Sequence, residues 1–223
     1  MSRSSYFVEM EIAGDTAMWT RPDTGDAPVS YPAPTYSAVK AIFESLLFGF
    51  KTIVKPIKVG ICAPLQYHSY HTNYGGPLRQ AKSIAEGNSY QLLATVLIDV
   101  CYRLYAEVVI NKNNQDLSER SRHWDALTTS PCHAYQDIFN RRLKRGQCYS
   151  IPSLGWKEFT PSYFGVFREA TKIQDDITFT IPSMLRQVFS NGYNSEPLYT
   201  YDQDVAIRNG VLTFAVKDSE NDQ

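Results

Sequence analysis

Much of what identifies an enzyme at sight is missing from this sequence. It has no phosphate loop, no dinucleotide fingerprint, no nucleophile elbow and no zinc-protease helix. No apolar run is long enough for a transmembrane helix. The opening Met1-Ser2-Arg3-Ser4-Ser5 lacks the apolar stretch of a signal peptide, so the expected location is the cytoplasm, with no membrane partner. None of the four cysteines, Cys62, Cys101, Cys132 and Cys148, stands in Cys-x-x-Cys spacing. A zinc knuckle is therefore not expected, and the cysteines read as buried small hydrophobes. No internal repeat is visible. Lys and Arg total 22 against 23 Asp and Glu, a formal net charge of −1. That balance argues against coating nucleic acid by bulk electrostatics, although a local basic groove remains compatible with it. Histidine is scarce, at four in 223 residues, whereas tyrosine reaches fifteen.

What is present describes a folded chain. It is 43% hydrophobic and 20% charged, values of an ordinary globular domain. Tyr6, Val8, Met10 and Ile12 alternate with Phe7, Glu9 and Glu11 in a first strand that Gly14 and Asp15 end. A proline-rich loop leads to a helix capped by Thr35 or Ser37, with Val39, Ile42, Phe43, Leu46 and Leu47 at helical spacing and Gly49 as a left-handed stop. A strand over 51–61 follows, with Pro56 marking an edge or a bulge. Residues 62–88 show no apolar period and read as a long loop. The strand over 95–110 is the clearest in the chain, apolar at every even position and partly solvated at odd ones.

Helical material is expected over 117–127 and again over 133–145, the second ending at Gly146. Beyond it, short strands are separated by Pro152, Gly155, Pro161, Gly165 and Pro182, and a hairpin turns at Asn209-Gly210. The order predicts an α+β fold: a ferredoxin-like (RRM-like) β-α-β-β-α-β domain over 1–150, an appended C-terminal antiparallel β region over 151–217, and a frayed tail over 218–223.

Two constellations could carry chemistry. Arg141, Arg142, Lys144 and Arg145 close the second helix. Cations there suit the helix dipole, but four in five residues exceed what a dipole needs and also fit a phosphate clamp. The 62–88 segment interleaves Tyr67, His68, Tyr70, His71 and Tyr74 with Arg79 and Lys82. It reads as a plain surface loop, a metal site at His68 and His71, or a surface on which RNA bases stack. Arg21, after a turn that buries Trp19, could face a ligand.

Several segments resemble one family. Gly14-Asp15-Thr16-Ala17-Met18-Trp19-Thr20-Arg21-Pro22 is similar to the "GDYALFTRP" segment of the CRISPR-associated "Cas-five" proteins of type I-C systems. The run from Val29 to Ala38 resembles their "VSYxVPTxSA", the run from Asp137 to Cys148 their "xIFNRRxxKGQC", and the run from Leu154 to Phe159 their "xLGxREF". The matches are in order and cover most of the first 160 residues.

The resemblance implies a repeat-associated RNA-binding (RAMP) protein. Its expected partners are the CRISPR repeat RNA and the large and backbone subunits of Cascade, with double-stranded DNA as a further partner. RNA-binding candidates are Arg21, Tyr67, His68, Tyr70, Arg79, Lys82, Arg141, Arg142, Lys144, Arg145 and Trp156. The family's endoribonuclease activity needs no metal and no cofactor. A base takes the proton of the RNA 2′-hydroxyl and an acid protonates the leaving oxygen. The resemblance implies a Tyr in the first helix and a Lys-His pair just before the second as the family's catalytic set. The corresponding positions here hold Leu47, Ala134 and Tyr135. A shifted site would use His133 with Tyr135 as partner and Arg141 or Lys144 as cation. The remaining readings are loss of cutting with retained handle binding, and a structural subunit that contacts only protein.

Overall fold

The computed structural model describes residues 5–49, 51–73, 81–87, 91–111, 119, 128–189 and 196–215. Its elements are β1 (Tyr6–Ala17), α1 (Tyr36–Leu46), β2 (Thr52–Ile61), β3 (Gln66–Asn73), α2 (Ala81–Ala85), β4 (Gln91–Ile110), α3 (Pro131–Lys144), β5 (Tyr163–Gly165), β6 (Phe179–Gln187), β7 (Thr200–Arg208) and β8 (Val211–Thr213). The strands form one eight-stranded sheet in the order β5-β1-β4-β2-β8-β7-β6, with β3 pairing β4 off that path. All ladders between these strands are antiparallel. This is an α+β architecture, as the sequence predicts.

The alternation in β1 and β4 sets the core. Val8, Met10 and Ile12 pair with Ala106, Leu104 and Tyr102 on one buried face. α1 and α3 lie on this face, where the Phe43 and Phe139 rings sit 5.5 Å apart. Thr35 caps α1, its side chain accepting from the Ala38 amide at 3.3 Å. Gly146 ends α3 with φ 63°, a conformation costly for residues with a Cβ. There the Gly146 amide donates to the Leu143 carbonyl and the Gln147 amide to that of Arg142, a Schellman closure. Pro56 marks a register shift in β2, and Asn209 and Gly210, both at positive φ, make the turn between β7 and β8. Arg186 joins β6 to the start of α1, pairing with Asp202 at 3.0 Å and lying 3.9 Å over the Tyr36 ring.

The structure departs from the sequence reading at several places. Gly14 and Asp15 do not end the first strand, which runs on to Ala17 with Gly14 opposite Val100 and Ala17 opposite Leu97. Residues 66–73 are not loop but a strand, pairing from Gln66↔Ile98 to Asn73↔Gln91. β3 is polar on both faces, so no apolar period announces it. Gly49 is not a left-handed stop: α1 ends at Leu46 with Leu47 extended, and a Cβ on Gly49 would come within 3.0 Å of the Tyr135 ring. Pro182 lies inside β6 rather than between strands, which the edge position tolerates. Cys148 is only partly buried, whereas Cys62, Cys101 and Cys132 are buried as expected. The 117–127 helix, apart from Glu119, and the 218–223 tail lie outside the described residues.

Candidate nucleic-acid interface

The last carbonyls of a helix have no partner inside it and must find donors elsewhere. In α1 they find them on α3 and the loop after it. The Ser45 carbonyl accepts from the backbone amides of Tyr149 and Ser150, both at 2.9 Å. The Leu46 carbonyl accepts from Arg142 Nη1 at 2.7 Å, and the Leu47 carbonyl from the Tyr135 hydroxyl at 2.6 Å. Three consecutive carbonyls thus weld the C-terminal end of α1 to α3 and to residues 149–150.

This joint divides the basic run. Arg142 is partly buried and acts as a cap on α1, whereas Arg141, Lys144 and Arg145 are exposed. Among the described residues, none of those three forms an ion pair. The helix phase explains the split, because position 142 turns toward α1 while 141, 144 and 145 turn away.

The same joint occupies the positions that resemble the family's acid–base set. Leu47 and Tyr135 meet there, but Tyr135 is only 4% exposed and its hydroxyl donates to a backbone carbonyl. Burial, reinforced by the Glu44 carboxylate, pushes that hydroxyl well above the ordinary tyrosine range. A phenol so placed is a neutral packing group, and neither Leu47 nor Ala134 can move a proton. Tyr135→Phe should leave the Leu47 carbonyl without this donor and cost about 1–2 kcal/mol in urea unfolding. RNA binding should not change.

His133 does not join Tyr135. The two are two positions apart on α3, and His133 is 58% exposed with Nδ1 3.6 Å from Asp137 Oδ2. Its ring meets the edge of Tyr6 at 5.8 Å.

A second group assembles around β3. Tyr70 packs edge-on against Trp156 at 6.4 Å and Phe159 at 5.4 Å, and Trp156 stacks on Phe159. Trp156 Nε1 donates to Thr20 Oγ1 at 3.1 Å, which brings the group beside Arg21. Arg21 is held by Asp23 through Nε–Oδ1 at 3.2 Å and Nη2–Oδ2 at 2.6 Å, so its charge is already matched. Tyr67 is 46% exposed, and burial raises its hydroxyl pKa against the opposing field of Arg21. His68 and Lys82 are exposed on β3 and α2, and Arg79 lies outside the described residues. Among the described residues, no group of three or more His, Cys, Asp or Glu could hold a metal.

One polar cluster escapes sequence reasoning. Glu11 is 0% exposed although the β1 alternation sets it opposite the apolar face. Its carboxylate accepts from Arg168 Nε at 2.5 Å, from the Arg168 amide at 3.2 Å and from Thr171 Oγ1 at 3.1 Å, with Arg103 Nε at 3.5 Å. Arg103 Nη2 in turn donates to the Arg168 and Thr171 carbonyls. Burial pushes the Glu11 carboxyl up, but the Arg168 and Thr171 hydrogen bonds outweigh it and hold the pKa below the usual range. The cluster pins residues 168–171 across the sheet. Nothing local to Glu11 signals it, because the covering residues are about 157 positions away.

Comparison with known proteins gives a consistent answer. Residues 7–215 match the family described as CRISPR-associated protein (Cas_Cas5). The CRISPR pre-crRNA endoribonuclease Cas5d of Thermus thermophilus is 28% identical over 158 residues, covering 70% of this chain and 62% of that protein. The chain therefore spans less than two thirds of that relative's length. The protein of the same name from Mannheimia succiniciproducens is 26% identical over 176 residues, covering 71% of this chain and 72% of its own. A crystal structure of a CRISPR-associated protein has the same fold, with TM-score 0.67 at 19% identity over 99% of this chain and 95% of the other.

Proposed function

The chain belongs to the CRISPR-associated Cas_Cas5 family, and from that premise we propose that it is the subunit of a type I-C Cascade that holds the repeat-derived 5′ handle of guide RNA without cutting it. The observation that carries the second half is the 2.6 Å hydrogen bond from Tyr135 to the Leu47 carbonyl. It uses the one hydroxyl left among the three positions that resemble the catalytic set. The first half is supported by Arg141, Lys144 and Arg145, exposed cations without a counter-charge among the described residues.

The proposal includes a ferredoxin-like core over residues 1–150. Its support is the order β1-β4-β2 within the sheet, with α1 and α3 packed on one face; the fourth strand of that pattern, β5 beside β1, comes from residues beyond 150. The proposal assigns the appended β region to 151–217; among the described residues, β8 of that region pairs β2 and β5 pairs β1. The complex works in the cytoplasm, and the large and backbone subunits are its protein neighbours. Exposed cations would serve a DNA backbone equally well, so double-stranded DNA belongs in the test as a competitor.

The test is incubation of excess protein with a repeat hairpin in EDTA. The expected result is a hairpin that is bound but intact, with double-stranded DNA of equal length competing weakly. Appearance of a 2′,3′-cyclic phosphate end would overturn the non-cutting half. Should His133→Ala then abolish it, the shifted site is real.

A further inference from the structure

Tyr149 is 82% exposed, the most exposed of the large hydrophobic side chains among the described residues. Solvent-facing aromatics on loops are ordinarily free to move. The backbone that presents this one is held, because its own amide and that of Ser150 both donate to the Ser45 carbonyl at 2.9 Å. The loop that presents it begins at the Schellman closure of α3, so its start is also fixed. Among the described residues, no hydrogen bond or ring contact uses the Tyr149 side chain. The structure therefore presents a largely exposed ring from a fixed backbone.

The surroundings say what such a ring suits. Lys144 and Arg145 precede it by five and four positions, and Arg141 lies one turn back on α3, all exposed. Arg142, the remaining member of the run, is tied to α1 and sets the distance between the helix end and the loop. The combination is an anchored aromatic beside exposed cations. A nucleic-acid strand offers the matching pair of groups, a flat base and flanking phosphates. A duplex offers only the phosphates, because its bases are already stacked.

From this juxtaposition we infer that Tyr149 is a stacking platform for one unpaired base of a single-stranded RNA segment whose phosphates lie on Arg141, Lys144 and Arg145. The inference rests on the RNA-holding function proposed above and adds where an unpaired nucleotide sits. It also assigns a role to a residue outside the candidate set read from the sequence. Stacking on an aromatic side chain tolerates any base, so Tyr149 contributes affinity for single strands and not sequence preference.

The experiment compares two fluorescein-labelled probes, the single-stranded handle portion of the repeat and the same strand annealed to its complement. Wild-type protein should prefer the single strand. Tyr149→Ala should weaken single-strand binding about tenfold and leave duplex binding within twofold. Tyr149→Phe keeps the ring and should bind as wild type, whereas Tyr149→Leu keeps apolar bulk and should resemble the alanine variant. A 2-aminopurine in the single strand should be quenched by wild type and by Tyr149→Phe only. Equal affinities for wild type and Tyr149→Ala would overturn the inference while leaving the RNA-holding function intact. So would equal losses in the phenylalanine and alanine variants. Failure of wild type to bind either probe would instead remove the function on which the inference stands.

Discussion

Replacing Arg141, Lys144 and Arg145 together with alanine should lower repeat-RNA affinity about a hundredfold at 0.1 M salt. Each phosphate neutralised on a single strand contributes about 0.7 to the slope of log affinity against log salt. Three such contacts account for about two decades at that concentration. The same variant should flatten the salt slope by about two. The fold should persist, since a cation at a helix C-terminus contributes about 0.3–1 kcal/mol to stability. Arg142→Ala belongs in the comparison because it should behave differently. Its Nη1 donates to the Leu46 carbonyl at 2.7 Å, so its loss should lower stability more than it changes the salt slope. Unchanged affinity in the triple variant would sink the clamp. So would a lower affinity with an unchanged slope, which means the residues act through the fold.

The second large effect concerns stability. Glu11→Ala should destabilise the protein by about 3 kcal/mol, because it removes one partner of a buried charge cluster and leaves Arg103 and Arg168 without their carboxylate. Arg168 is partly exposed and rehydrates, which keeps the figure at the low end of such losses. For a chain of 223 residues, that amounts to a fall in Tm of about 6–12 °C.

The pH dependence has a fixed sign. The Glu11 pKa is lowered in the folded state, so its contribution is complete above the unfolded carboxyl pKa, about 4.3, and is lost as pH falls through the folded value. Urea midpoints of wild type should therefore drop more steeply below about pH 4 than those of Glu11→Gln. Parallel curves would show that Glu11 is not the group responsible. RNA affinity near neutral pH should survive in Glu11→Gln, since the cluster pins residues 168–171 and not the α1–α3 joint.

How much of this is legible in the sequence depends on whether the signal is local. α1, α3 and β4 are readable because their periods are strong: Val39, Ile42, Phe43 and Leu46 share one face, and every second residue of β4 from Val100 to Val108 is buried. The Asn209-Gly210 turn is readable because two successive positive φ angles demand those residues. β3 is not readable, because Gln66, His68, Ser69 and Thr72 offer no apolar side and its register comes entirely from β4.

The candidate site divides in the same way. The basic run is plain in sequence, yet only the packing of α3 on α1 separates Arg142, a cap, from its three exposed neighbours. Tyr70 and Trp156 lie far apart in the chain and meet only because β3 exists. Leu47, Ala134 and Tyr135 stand where the resemblance implies the family's acid–base groups. They cannot show that Tyr135 turns inward to the Leu47 carbonyl, which is a tertiary fact. Tyr149 has no sequence signal beyond its nearness to the basic run, and its significance lies in the two amides fixed to Ser45.

On the proposed function, this chain recognises repeat RNA through the surface where α1 and α3 end. The most direct measurement is the dissociation constant for repeat RNA against a scrambled RNA of the same length, at fixed salt, with wild type and the Arg141, Lys144 and Arg145 alanine variant side by side. The expected result is tighter binding of repeat RNA by wild type, at least tenfold over the scrambled strand, with both affinities falling in the variant. Equal affinity of wild type for the two RNAs, or binding that the three substitutions leave untouched, would contradict it.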